Sequence, residues 1–90
     1  MELQQLRGFY EAVREGSFTR AATRLFLTQP AISQQVKALE EELGQALIVR
    51  GRRGVALTAA GQALYERTTT IFAELEGARQ ELDAMGKVVR

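Results

Sequence analysis

Neither cysteine nor histidine occurs among the 90 residues, and proline occurs once. Without thiols there are no disulfides and no thiolate nucleophile. Without histidine the chain also lacks the usual neutral-pH acid–base group and the common ligands of structural zinc. Eleven acidic residues remain, but most stand in helical, charge-mixed stretches that suit a solvated surface. The composition therefore reads as a non-enzyme with no metal and no cofactor. Long apolar runs are missing too: nothing approaches the roughly 18 residues that cross a bilayer. The amino-terminal Met1-Glu2-Leu3-Gln4-Gln5-Leu6-Arg7 has no apolar h-region of a secretion signal. A cytoplasmic protein without membrane association is expected. There is no low-complexity tract or internal repeat, and the length allows one small domain.

Excess charge is scarce as well. The net charge is only +1, which by itself argues against a nucleic-acid binder, so its distribution decides. Residues 47–58 carry Arg50, Arg52 and Arg53 and no acid, whereas residues 59–90 carry Glu66, Glu74, Glu76, Glu81 and Asp83 against four bases. The positive charge is gathered into one short stretch.

Hydrophobic periodicity predicts a first helix from about Leu3 to Glu15, with Leu3, Leu6, Tyr10 and Val13 at helical spacing and Gly16 as a stop. Ser17 or Thr19 can cap a short second helix whose small Ala21 and Ala22 imply a closely crossing neighbour. After Phe26-Leu27, Thr28 caps a third helix, Pro30 occupies its first turn where no N–H is needed, and Gly44 closes it. Ala46 to Arg50 and Val55 to Leu57 then read as two strands about the turn Gly51-Arg52-Arg53-Gly54. Thr58 caps a last helix from Ala59 to about Met85.

The third helix has two faces. At about 100° per residue, Val36, Leu39 and Leu43 fall within roughly 40° of Ile32 and form a core stripe. Pro30, Ser33, Gln34 and Lys37 lie opposite, with Gln29 near their margin. Gln and Ser can exchange hydrogen bonds with base edges, Lys can neutralise a phosphate, and the Pro and Ala carbons can meet a thymine methyl. Glu40-Glu41-Glu42 would repel phosphates, so such a helix should enter a groove by its N-terminal half, where its dipole also favours an anion. A well-capped solvated helix has the same look; the tight preceding turn and the basic hairpin tip the balance. Arginines at a hairpin tip can grip phosphates or enter a narrow minor groove, although Arg50, at a strand end, can instead pair with a structural carboxylate.

In the last helix Leu64, Thr68, Ile71, Leu75, Ala78, Leu82 and Met85 alternate four and three apart, a heptad seam with Phe72 and Val89 beside it. At 1.5 Å per residue a helix of roughly 27 residues spans about 40 Å, more than a small head can cover. A second copy of the chain is the simplest partner, which makes Leu64, Thr68, Ile71, Phe72, Leu75, Ala78 and Leu82 the candidate dimer interface. Thr68 and Ala78 are weak seam residues, so the pairing is antiparallel or shared with the head. Two heads about a twofold axis would read a roughly palindromic DNA site.

The ordered stretches Leu6-Arg7-Gly8-Phe9, Gly16 to Ala22, Leu27 to Ser33, Ile32 through Leu39-Glu40 to Leu43-Gly44, and Leu57-Thr58-Ala59-Ala60-Gly61 resemble the amino-terminal domain of LysR-type bacterial transcription regulators. The resemblance implies a mainly α fold: a winged helix-turn-helix of three helices plus a two-stranded β wing over residues 1–58, and a linker helix for dimerisation over 59–90. The helix-turn-helix would occupy about 18–37 and the wing about 47–57. The resemblance further implies a cytoplasmic bacterial regulator that binds a double-stranded DNA operator as a homodimer, with higher oligomers possible in the full-length protein. A C-terminal effector domain would lie outside this chain, and the ending Lys87-Val88-Val89-Arg90 fits a fragment. By the same analogy Gln29, Pro30, Ser33 and Gln34 would approach bases. Thr28, Lys37, Ser17 and Thr19 would approach the backbone, and Arg50, Arg52 and Arg53 would furnish the wing. Many family members carry a basic residue where this chain has Gln34, which implies a different readout there. Phe26 is expected partly in the core. A competing reading, a dimeric adaptor presenting its basic hairpin to an acidic protein, leaves the polar face at 29–37 idle.

Overall fold

A computed structural model describes the backbone of residues 1–51 and 53–89, and side chains as far as Gly86. Helix α1 spans Leu3–Glu15, α2 Phe18–Leu25 and α3 Gln29–Leu43; strands β1 (Ile48–Val49) and β2 (Ala56–Leu57) follow, and α4 runs Ala59–Val89. The two strands pair antiparallel, Ile48 opposite Leu57 and Val49 opposite Ala56. They are shorter than the strand runs expected, and α4 is longer by four residues. Among the described residues no helix is long and apolar enough to cross a membrane.

Each helix starts and stops where its caps dictate. The Gln5 side chain accepts from the Glu2 amide, Ser17 Oγ from the Arg20 amide at 3.1 Å, and Thr28 Oγ1 from the Ala31 amide at 3.3 Å. Thr58 Oγ1 takes the Gly61 amide at 3.0 Å. These bonds satisfy N-terminal donors that no preceding turn can reach. Gly16 and Gly44 end α1 and α3 in the left-handed region, where glycine carries no Cβ penalty.

Two apolar clusters hold the head. Leu6, Phe9, Val36, Leu39, Leu47, Ile48 and Phe72 join α1, α3, β1 and α4. Ala12, Ala21, Ala22 and Ile32 form the second cluster, where small side chains let α1, α2 and α3 cross closely as their sequence implied. Two glycines set the closest approaches. A Cβ on Gly8 would lie 2.4 Å from Gln35 Oε1, and one on Gly61 would lie 2.0 Å from the Leu47 carbonyl oxygen. Helix α4 docks by aromatic contact: the Tyr10 ring centroid is 5.0 Å from that of Phe72 and 5.8 Å from that of Tyr65. Beyond Phe72 α4 leaves the head, every residue from Ala73 to Gly86 being exposed, and the molecule measures 53 × 24 × 20 Å.

Two side chains depart from expectation. Phe26 is 94% exposed rather than partly in the core. It caps α2 at φ 57°, the sole non-glycine residue with positive φ among those described, and in that geometry its side chain is carried off the helix face that packs inward. Leu43 is 37% exposed rather than part of the core stripe. It is the last residue before the Gly44 cap, and Leu47, returning on the next segment, fills the interior instead.

Candidate nucleic-acid interface

The polar face of α3 is presented as its periodicity requires. Thr28, Gln29, Pro30, Gln34 and Lys37 are exposed and Ser33 is half-buried, while Ile32, Val36 and Leu39 face the core. Gln29 Nε2 donates to Ser33 Oγ across one turn at 2.8 Å. That bond uses one amide hydrogen of Gln29 and leaves its carbonyl oxygen and second N–H available. In the first turn Pro30 has no N–H and the Ala31 amide is taken by Thr28, so among the first three residues Gln29 keeps the backbone donor that the helix dipole favours for an anion.

The wing stands beside this face. The α3 residues Gln29 and Ser33 form one wall of an open groove of about 520 Å³, and Val49, Arg50, Gly51 and Gly54 form another. Gly16, Ser17, Phe18 and Arg20 complete it at the start of α2. The elements singled out in the sequence as two separate surfaces thus flank a common groove. Gly51 and Gly54 adopt positive φ at the hairpin tip, and a Cβ on Gly54 would lie 3.5 Å from the Gly16 carbonyl oxygen, so the wing passes close to the α1–α2 turn. Arg53 is exposed. Arg52, named from sequence as a wing residue, lies outside the described residues, as does the structure of Arg90.

The cations divide sharply. Glu11, buried on α1, has Arg7, Arg14 and Arg24 at 3.8–3.9 Å, and Glu15 takes Arg24 at 3.3 Å and Arg20 at 3.8 Å. Arg20 also donates to the Glu15 carbonyl, capping the end of α1. Lys37 and Arg53 make no ion pair among the described residues. Arg50 is engaged: its Nη2 lies 2.7 Å from Glu40 Oε1. Ser17 and Thr28 serve as caps while still facing the groove or solvent. Thr19 is exposed, its carbonyl accepting from Thr23 Oγ1.

Two participants were missed in the sequence. Arg20 lines the groove but reads only as one charge of a short helix. Glu40 reads in the sequence only as part of an acidic run that would repel phosphates. The wheel sets only Glu41 apart, at about 180° from Ile32: Glu40 and Glu42 both stand about 80° from it, on opposite flanks of the core stripe, and the chain returns to β1 on the Glu40 flank. Glu40 Oε2 accepts from the Leu47 and Ile48 amides at 2.8 and 3.2 Å. Burial pushes the carboxyl pKa up, but those two amides and Arg50 outweigh burial and hold it below the ordinary value.

Of the residues named for a dimer seam, Thr68 and Phe72 are 0% and 5% exposed against the chain's own head and leave a partner little surface. Leu64 is half-buried; Ile71, Leu75, Ala78, Leu82 and Met85 are exposed along one side of α4.

The family model described as "Bacterial regulatory helix-turn-helix protein, lysR family" matches residues 3–62. The transcriptional regulator BudR of Klebsiella aerogenes is 49% identical over 81 residues, which cover 90% of this chain and 57% of BudR. The nitrogen assimilation regulatory protein nac of the same organism is 42% identical over 90 residues, all of this chain and 30% of that protein. The chain therefore spans little more than half, or less, of these relatives. Among solved structures, the BenM DNA-binding domain in complex with catB site 1 DNA superposes with a TM-score of 0.86 at 37% identity, covering 96% of both chains. The CbnR DNA-binding domain in complex with DNA superposes at 0.76 with 40% identity over the whole of each chain.

Proposed function

Because this chain belongs to the LysR family of bacterial regulatory helix-turn-helix proteins, we propose that it binds a specific double-stranded DNA operator as the amino-terminal, non-enzymatic part of a transcription regulator. The observation that carries this reading is the groove shared by the polar face of α3, the start of α2 and the wing. The complexes of the BenM and CbnR domains with DNA support it.

Helix α3 enters the major groove by its N-terminal half. Gln29 is held by Ser33 with one acceptor and one donor exposed, the pair that adenine N6 and N7 require. Pro30, Ser33 and Gln34 meet neighbouring base edges. The Gln29 amide, Thr28, Lys37, Ser17 and Thr19 take backbone phosphates, which fix register without reading sequence. Arg53 works from the wing, with Arg52 beside it in sequence; Arg50 contributes chiefly through Glu40. Residues 1–58 form the reading head. The exposed side of α4 within 59–90, Ile71, Leu75, Ala78 and Leu82, pairs with a second copy together with the half-buried Leu64, while Thr68 and Phe72 hold the head to the helix. An effector-sensing domain follows in the intact regulator, which acts in the cytoplasm and there reaches its dimeric or higher state.

The test is a salt titration of binding to a preferred and to a random duplex. Affinity is expected to fall steeply with salt on both as counterions are released, with the preferred duplex favoured throughout. Arg53→Ala should weaken both alike. Gln29→Ala should lower discrimination at particular base pairs by about 1–3 kcal/mol. Equal affinity for both duplexes at moderate salt would overturn the reading.

A further inference from the structure

Glu40 lies on α3 three residues beyond Lys37, yet it faces the wing. Its side chain is only 13% exposed. One carboxylate oxygen accepts from the amides that open β1, those of Leu47 and Ile48, and the other accepts from Arg50 at the end of that strand. The strand is two residues long and bonds to an equally short partner, so its own ladder supplies little rigidity. Three donors converging on one carboxylate, two of them backbone, tie strand and helix together far more firmly, and charge-assisted bonds of this kind are the strong ones.

The geometry points to Glu40 as the positioning residue of the wing: anchored on α3, it fixes where the arginine hairpin stands relative to the helix that reads bases. Glu40 touches no DNA in this account and acts through β1 and Arg50. The assignment rests on the reading of α3 and the wing as joint DNA contacts. It also explains why the arginine nearest the strand is bound internally while Arg53 stays exposed.

A double-mutant cycle on DNA binding tests it, using the whole chain and duplexes selected with the wild type. Glu40→Gln keeps the size of the side chain but loses the charge that holds Arg50. It should weaken binding roughly tenfold, the worth of one charged contact, and flatten the dependence of affinity on salt. It should leave the ranking of base substitutions opposite Gln29 unchanged, because α3 itself stays in place; general damage to the head would scramble that ranking. Arg53→Ala should cost far less in the Glu40→Gln background than in the wild type, since a displaced wing has little left to lose. If Glu40→Gln fails to fold by circular dichroism, Glu40→Asp, which keeps the charge but shortens the reach, is put through the same cycle. Independent, multiplying effects of the two substitutions would overturn the assignment, as would wild-type affinity and salt dependence in the Glu40 variant. Tighter binding by that variant would also overturn it, making Glu40 a mask on Arg50. A wild-type chain that binds no duplex refutes the DNA reading itself, whereas wild-type binding with independent effects refutes the role of Glu40 alone.

Discussion

Gly61 and Gly77 lie on the same helix and meet opposite surroundings. A side chain at Gly61 would run into the backbone of Leu47, 2.0 Å from its carbonyl oxygen, while nothing lies within 4 Å of one at Gly77. Gly77→Ala should therefore stabilise the chain by about 1 kcal/mol, the ordinary gain of alanine over glycine inside a helix. Gly61→Ala should destabilise it by roughly 3 kcal/mol, because β1 must move off α4. Chemical denaturation of the two variants checks both signs. At this scale the sequence was a good guide wherever periodicity or a cap decides: Ile32, Val36 and Leu39 inside, Gln29, Gln34 and Lys37 outside, Thr28 and Ser17 at helix starts. It misled where a backbone dihedral decides. Phe26 looks like core by its chemistry, but its left-handed capping conformation turns it outward, and nothing in residue type signals that. Glu40 was hidden because Glu42 flanks the core stripe at the same angle on the other side, and only the return of the chain at Leu47 and Ile48 sets Glu40 apart.

Between elements, the decisive link is the one from α3 to β1. The carboxyl of Glu40 is held below its ordinary value, burial being outweighed by the Leu47 and Ile48 amides and by Arg50. A carboxyl with a depressed folded-state pKa stabilises the fold fully above its unfolded value, near 4.5, and loses that contribution as pH falls through the folded value. The wild type should thus melt higher than Glu40→Gln at neutral pH, and the gap should close as pH drops below about 4.5. Thermal melts over that range read it directly; a gap that persists in acid would contradict the linkage. The helix order and the hairpin were legible from caps, glycines and the change of period. The division of α4 was less so, because its alternating four-and-three spacing runs two faces together. Thr68 belongs with Gly61 and Phe72, which the head covers, whereas Ile71, Leu75 and Leu82 lie on the uncovered side. Which stripe meets the head depends on where Tyr10 places its ring against Tyr65 and Phe72, a contact between residues far apart in the chain.

For the molecule as a whole, near-neutral charge and DNA binding are compatible because most cations of α1 and α2 are spent internally. Arg7, Arg14, Arg20 and Arg24 surround Glu11 and Glu15, and Arg50 pairs with Glu40, which leaves Lys37 and Arg53 as the cations of the head without an ion pair among the described residues. The molecule's long dimension is 53 Å, and α4 is exposed at every residue from Ala73 to Gly86. Leu75→Glu and Leu82→Glu, at positions 41% and 66% exposed, should leave the melting of the head nearly unchanged. They should raise the protein concentration needed for dimerisation at least tenfold by sedimentation, roughly the worth of one buried leucine. An unchanged dimer would place the interface elsewhere. Selection of bound sequences from a random duplex pool asks at once whether the shared groove reads bases and whether two heads read together. A site with two inverted half-sites at a fixed spacing should be enriched; a pool that emerges without any enriched sequence would refute DNA reading by this chain.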